Sequence, residues 1–320
     1  MREKVTILLP VYRSNPRYLE EQLRSLNAQT YENLELLVWN DCPEAEPDRE
    51  LFARCVTRFP VRFCGGEKNL GYIGAFNRLS ELAEGDYFSY CDQDDVWEPE
   101  KISACMEAIR ESGALIAASD ISLTDAEGNI TCRSRREATG MACHNWKTGD
   151  DITEQAAFFC YGIGMTIVAK ADAVKRVLPF VPTSAHDLQL MLFLSAAGKA
   201  AYVERPLVRY RRHGKNETGT LSGITRKQDY YDTRCLPARA LIERFAELYP
   251  GDPRTAEMRK CCEARIRGDF FGILKNRRMI PDLYKYEAAL ALCPDFLFRR
   301  LKDRVAAGKS ETGKADGDAD

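Results

Sequence analysis

Asp92-Gln93-Asp94-Asp95 places three carboxylates within four residues. Like charges this close repel one another unless a cation neutralises them. An all-oxygen set suits Mg²⁺ or Mn²⁺, and Mg²⁺ in particular is held by one or two carboxylates together with phosphate oxygens of a ligand. A calcium-binding EF-hand loop does not fit the stretch, because Val96 stands where the third oxygen ligand belongs and Trp97 where the turn glycine belongs. The plain alternative is a solvated acidic turn capping the helix that begins near Pro99.

Four further sites carry polar chemistry. His186-Asp187 precedes a run whose apolar positions read as buried, so Asp187 is an N-cap, a carboxylate fixed at the end of a rigid element, or both. A histidine-rich phosphohydrolase centre is a poor fit, since the chain has only His144, His186 and His213. Asp41 is placed to accept hydrogen bonds from a nucleoside, or to serve as a turn residue before Pro43. The segment Asn69-Leu70-Gly71-Tyr72-Ile73-Gly74 leads into a helix whose backbone N–H groups can face an anion, although it is not G-x-G-x-x-G and an ordinary strand-to-helix turn fits as well. Arg209, Arg211, Arg212 and His213 form a basic cluster able to balance a diphosphate, or a solvated basic turn.

The elements that must position these groups alternate strand and helix. Val5–Leu9 reads as a buried strand, Pro16 opens a helix with Leu19, Leu23 and Leu26 on one face, and Leu34–Trp39 is a second strand. A helix at about 48–58, a strand at 61–64, a helix at about 73–84 and a strand at 87–91 follow. This is the pattern of a mostly parallel sheet wrapped by helices, in which ligands bind beyond the carboxyl ends of the strands. Asp41 and Asp92–Asp95 fall at those ends. Further on, 99–112 reads as helix, 115–119 as strand, 132–152 as a long mobile loop, 164–169 as strand, 188–197 as helix and 207–210 as the last strand. Beyond about 224 the periodicity is helical, and 308–320 has almost nothing apolar to bury, so the division expected is 1–224, a helical region 225–307 and a disordered tail 308–320.

Composition narrows the classes. With 45% hydrophobic and 29% charged residues the chain is neither disordered nor low in complexity. A formal net charge of -2 supplies no field to gather nucleic acid, so no nucleic-acid partner is expected. No run of eighteen apolar residues occurs, and any membrane contact is peripheral. The twelve cysteines are scattered without a C-x-x-C spacing, which points to reduced thiols in a cytoplasmic protein.

Read together, the sequence resembles a family-2 glycosyltransferase of the GT-A fold, similar to the branch containing bacterial rhamnosyltransferases and other makers of surface polysaccharide. The likeness runs through Ile7–Tyr12, Tyr18–Leu23 with Gln29-Thr30-Tyr31, Asn69-Leu70-Gly71, Gly85-Asp86-Tyr87 leading into Cys91–Trp97, His186-Asp187 and Tyr210–Gly214. It covers the first two thirds of the chain and departs at Asn40-Asp41-Cys42-Pro43, where the family usually has Asp-Asp-Gly-Ser. The resemblance implies a Rossmann-like α/β sheet with a C-terminal helical extension, a nucleotide-sugar donor, and a saccharide or lipid-linked saccharide acceptor. It implies donor binding by Asp41, Asn69, Gly71, Asp92 and Arg211. Asp92, Asp94, Asp95 and His213 would lie around a divalent metal, and Asp187 would be the catalytic base. A single base and no enzyme nucleophile predict inversion at the anomeric carbon.

Two rivals remain. A nucleotidyltransferase also joins an α/β sheet to metal-binding carboxylates, but the position after the first strand holds Pro10-Val11-Tyr12-Arg13 rather than a glycine-rich basic loop. A non-catalytic nucleotide-sugar-binding subunit is the second. The C-terminal helices, where Arg259, Lys260, Arg265, Arg267, Lys275, Arg277, Arg278, Arg299, Arg300, Lys302 and Arg304 interleave with Phe270, Phe271, Phe296 and Phe298, fit either a peripheral contact with anionic lipid or solvated faces of packed helices.

Overall fold

A computed structural model of the chain describes residues 2–213 and 224–300. Two compact units divide it, Met1–Asn216 and Glu217–Asp320, eight residues before the boundary expected at 224. The tail expected at 308–320, with Lys302 and Arg304, lies outside the described residues.

The first unit is built on one sheet. Its first half contains β1 (Val5–Val11), α1 (Pro16–Asn27), β2 (Leu34–Asn40), α2 (Arg49–Cys55), β3 (Val61–Gly65), α3 (Gly71–Leu82) and β4 (Tyr87–Tyr90). β5 (Val96–Trp97), α4 (Lys101–Ser112), β6 (Ile116–Thr124), β7 (Ile130–Cys132) and the short helices α5 (Arg135–Ala138), α6 (Ala142–Asn145) and α7 (Thr153–Ala156) follow. A 3₁₀ turn (Gly164–Thr166), β8 (Val168–Lys170), α8 (Ala171–Val177), α9 (His186–Ala197) and β9 (Ala200–Arg211) complete it. Strand order is β3-β2-β1-β4-β8-β6-β9-β5, with β7 paired to β6.

β1 to β4 are mutually parallel, and the apolar runs of β1 and β2 are buried on both faces, as such strands require. Strand order reverses across β1, between β2 and β4, which makes the carboxyl ends of β1 and β4 the topological switch point. α1 starts where Asn15 accepts hydrogen bonds from Arg17 N and Tyr18 N and Pro16 supplies a ready-set φ; Leu19, Leu23 and Leu26 then face the core.

The second half departs from the sequence expectation in four places. β6 continues past Ser119 to Thr124, because Asp120 is buried yet satisfied: Ser134 Oγ donates to it at 2.6 Å and Arg136 N at 3.0 Å. Those bonds, with Arg136 donating to His144 O and Trp146 O, fold 132–152 into α5 and α6 with Cys143 and Trp146 buried, in place of the long loop expected. β9 begins at Ala200 rather than 207; a register shift between Val203 and Pro206 absorbs the proline, which has no N–H for the ladder. The strand expected at 164–169 is instead the 3₁₀ turn followed by β8.

The second unit is helical, as expected: α10 (Lys227–Tyr230), a π-turn (Tyr231–Cys235), α11 (Pro237–Leu248), α12 (Arg254–Arg267), α13 (Phe270–Lys275), α14 (Tyr284–Leu292) and a helical stretch at 295–300. Ile224, Tyr230, Tyr231, Cys235, Leu290 and Phe298 form its own core. Beside them the buried Arg265 donates to Glu287 through Nε at 2.9 Å and Nη2 at 2.7 Å, and Tyr230 donates to the same carboxylate at 2.7 Å.

Candidate active site

The acidic tip leaves β4 at the switch point and is fastened to the neighbouring loops. Cys91 N donates to Leu8 O at 2.9 Å, while the Gln93 amide both accepts from Tyr12 N and donates to Tyr12 O at 3.0 Å. Asp92 and Asp94 are half-buried at the rim. Asp94 meets the end of β9: His213 Nε2 lies 2.8 Å from Asp94 Oδ2, and the His213 ring stacks on Tyr18 with centroids 5.4 Å apart.

Two residues expected to face ligand turn inward. Asp95 is 0% exposed, and its Oδ1 accepts from Arg211 N at 2.9 Å. Burial, reinforced by the charges of Asp94 and Asp92, pushes its carboxyl well above the usual range. Asp95 therefore ties the tip to β9 rather than standing at the rim with Asp92 and Asp94. Arg211 is likewise buried: Nε donates to Asp94 O at 2.9 Å, Nη1 to Ala126 O at 3.2 Å and Nη2 to Glu21, and the guanidinium lies 4.5 Å over the Tyr18 ring. Expected on the donor, this arginine instead braces the acidic tip from behind. Its partner Glu21 belongs to α1, 190 residues away in sequence, and no spacing rule connects the two.

Asp41, Asn69 and Gly71 do converge. Asp41 Oδ1 accepts from Leu70 N at 2.8 Å and from Trp39 Nε1 at 3.1 Å, while Asn69 Nδ2 donates to Asp41 O at 2.8 Å. Asn69 Oδ1 in turn accepts from Gly71 N at 3.1 Å. Gly71 opens α3 with φ +68, a conformation that glycine takes without steric cost. The amino terminus of α3 is thus set beside the end of β2.

Asp187 lies in the first turn of α9, whose N-cap is Ala185, so the N-cap reading does not hold. Its Oδ1 accepts from Leu188 N at 2.8 Å; its Oδ2 accepts from Gly164 N at 3.1 Å and from the Cys160 thiol at 3.4 Å. His186 beside it is buried among Phe76, 4.1 Å away, and Tyr90, 5.1 Å away. Burial pushes the imidazole down to about 4, so at neutral pH it is uncharged. Phe76 belongs to α3 and Tyr90 ends β4, so the His186 ring joins the helix carrying Asp187 to both of those elements.

Among the described residues no three His, Cys, Asp or Glu side chains converge into a ready-made metal cage. The chemistry nevertheless fits an ion of the Mg²⁺ or Mn²⁺ type. Asp94 and His213 present an oxygen and a nitrogen side by side at the rim, and such an ion takes its remaining ligands from phosphate and water.

Sequence comparison places this geometry in a class. Residues 6–168 match the model of glycosyl transferase family 2, which is half the chain, and the chain belongs to that family. An uncharacterized glycosyltransferase of Nostoc sp. is 22% identical over 234 residues, 71% of this chain and 70% of that protein. TuaG of Bacillus subtilis, named as a putative teichuronic acid biosynthesis glycosyltransferase, is 25% identical over 65% of this chain and 78% of its own length. Among solved structures, S. aureus TarS 1–349 in complex with UDP-GlcNAc superposes with a TM-score of 0.59 at 14% identity, covering 95% of this chain and 92% of that one. The mannosyltransferase PcManGT from Pyrobaculum calidifontis, in complex with GDP-Man and Mn²⁺, does so with a TM-score of 0.54 at 13% identity over 91% and 84%. The fold is GT-A-like, a mostly parallel sheet flanked by helices with C-terminal helices, as the sequence led us to expect.

Proposed function

We propose that this glycosyltransferase moves a hexosyl or deoxyhexosyl group, with inversion, from a nucleotide-diphosphate-sugar to a saccharide or lipid-linked saccharide acceptor during surface-polysaccharide synthesis. The observation that carries the reading is the pairing of Asp94 with His213 at the switch-point crevice, next to loops ordered by Asp41. The teichuronic-acid name of one relative, and the UDP-GlcNAc and GDP-Man/Mn²⁺ bound to structural neighbours, support it.

In this reading Asp41 accepts from the base of the donor, Asn69 and Gly71 shape the loop beneath it, and Asp92 lies near the ribose. Asp94 and His213 hold Mg²⁺ or Mn²⁺. A bound divalent ion neutralises charge on the departing diphosphate, an interaction stronger in the transition state than in the ground state. Asp187 takes the proton of the acceptor hydroxyl as its oxygen bonds to the anomeric carbon and the sugar–phosphate bond breaks. General-base help of that kind contributes roughly 10²–10⁴-fold. Gly164 N–H and the Cys160 thiol hold one face of the carboxylate.

Unpaired cysteines, all twelve of them among the described residues, support a cytoplasmic site of action. No described helix is long and apolar enough to cross a membrane. A peripheral contact through the C-terminal helices fits a lipid-linked acceptor.

The test uses a panel of UDP-, GDP- and dTDP-sugars in thermal shift with and without Mn²⁺, followed by turnover. Asp187→Asn is expected to retain donor and Mn²⁺ binding while transfer falls by at least about 100-fold; near-normal transfer removes Asp187 as the base. Release of pyrophosphate instead of nucleoside diphosphate assigns the chain to the nucleotidyltransferases.

A further inference from the structure

Gly164 opens the 3₁₀ turn before β8, and its φ is not in the left-handed region, so the backbone does not call for glycine there. Space does. A Cβ at this position would lie 2.7 Å from His186 Nε2 and 2.9 Å from His186 Cε1, nearer than real Cβ atoms come. The ring cannot easily withdraw. Phe76 and Tyr90 pack on it, Tyr72 and Phe180 stand at 6.4 and 6.3 Å, and the residue is 4% exposed. The turn is equally fixed, since Thr166 N and Oγ1 both donate to Ile163 O and Ile167 N donates to Gly164 O. Neither of the His186 ring nitrogens has a hydrogen-bond partner among the described residues, so contact shape, not hydrogen bonding, sets the ring's place.

The same glycine holds the carboxylate. Its N–H donates to Asp187 Oδ2, one residue along from the ring that its bare Cα admits. We propose that Gly164 is a positioning residue for sugar transfer: the missing side chain lets the caged His186 ring seat against the turn, and that seating brings Asp187 into register with the Gly164 N–H. The donor-side elements α3 and β4 thereby set the aim of the base through one steric contact. The inference rests on reading Asp187 as the base.

Gly164→Ala forces the ring, and with it the first turn of α9, away from the turn. Misplacing a catalytic group by about 1 Å costs on the order of 100-fold. The donor selected in the nucleotide-sugar panel is assayed by release of its nucleoside diphosphate with water as acceptor, and binding is measured with that nucleoside diphosphate and Mn²⁺. Gly164→Ala is expected to lower kcat by roughly 10- to 100-fold while the nucleotide Kd moves less than about twofold. In a His186→Ala background the ring is gone, and with it both the aim it sets and the clash; adding Gly164→Ala there is expected to lower kcat by less than about twofold further, the coupling that neighbours in contact show. Turnover of Gly164→Ala within twofold of wild type, nucleotide affinity lost in step with kcat, or a Gly164→Ala loss as large in the His186→Ala background as in wild type, each overturns the proposal. If Gly164→Ala does not fold, His186→Phe closes the contact from the other side: a longer ring pressed on the bare Cα is expected to give the same kcat-only loss, and unchanged kcat overturns the proposal. Asp187→Asn separates the two levels. Transfer surviving in that variant sinks the reading of the base, whereas a dead Asp187→Asn beside an unaffected Gly164→Ala sinks only the role of the glycine.

Discussion

Asp94 and Asp95 are chain neighbours in opposite surroundings, and that difference decides what each can do. Asp94 keeps an oxygen at the rim beside His213, while Asp95 is enclosed and spends one oxygen on the Arg211 N–H. The sequence offered the two carboxylates as equivalent, because strand-end spacing says which residues leave the sheet but not which way each side chain turns. What turns Asp95 inward is β9, whose Arg209 pairs with Val96 of β5, a long-range contact with no local signature. Asp95→Asn keeps the acceptor for Arg211 N–H and removes a disfavoured buried charge, so Mn²⁺ affinity and folding are expected to stay within about threefold of wild type. Asp95→Ala strands that N–H and is expected to cost about 1–3 kcal/mol in urea unfolding. Asp94→Asn, at the rim, is expected to weaken Mn²⁺-dependent nucleotide binding by at least about tenfold, measured by titration calorimetry with Mn²⁺ and the nucleoside diphosphate. Equal Mn²⁺ affinity in the Asp94 and Asp95 variants would remove the distinction.

At the scale of elements, α1 was legible because its apolar residues repeat at helical spacing behind a local cap, and β1 and β2 because they are short, nearly continuous apolar runs. β6 and β9 were only partly so, since Asp120 and Pro206 interrupt the pattern and are accommodated by partners distant in sequence. Lys101 left no signal at all. Lysines in the first turn of a helix are ordinarily solvated, yet Lys101 at the start of α4 is fully buried, with Nζ donating to Ser89 Oγ at 2.6 Å and lying 3.7 Å over the Trp97 ring. Burial pushes its ammonium down to about 8 from an ordinary 10.5. The unfolded chain therefore binds this proton more tightly than the folded one. Stability should rise with pH between about 8 and 10.5, and below 8 the folded protein bears the whole cost, on the order of 3 kcal/mol. Lys101→Met retains the packing without the charge. Urea unfolding at pH 7 and pH 9.5 is expected to show wild type gaining stability relative to Lys101→Met at the higher pH; a constant difference between them would mean that the ammonium is not paying for its burial.

At the scale of the whole molecule, charge and exposed apolar surface are unevenly shared. Residues 224–300 carry sixteen Lys and Arg against eleven Asp and Glu in a chain of net charge -2. Several basic residues that the sequence offered to a membrane are neutralised within the unit, Arg259 by Glu243, Arg265 by Glu287 and Arg299 by Asp295. The stretch from α13 onward keeps Lys275, Arg277 and Arg300 exposed, and there Phe271 is 79%, Leu292 67% and Phe296 65% exposed. Exposed apolar and basic side chains on one stretch of sequence are the residue types a contact with an anionic bilayer uses, where aromatic rings enter the headgroup region and each cation near the surface adds about 1 kcal/mol. The full chain is expected to sediment with phosphatidylglycerol vesicles and not with phosphatidylcholine vesicles, and to be released as salt shortens the Debye length. Removing three charges in Lys275→Gln/Arg277→Gln/Arg300→Gln should weaken the partition roughly 100-fold, and Phe271→Ser/Phe296→Ser should weaken it on the same vesicles at high salt, where only the apolar part remains. Equal partition onto both lipids, or none onto either, would return these helices to the reading in which their basic faces are simply solvated.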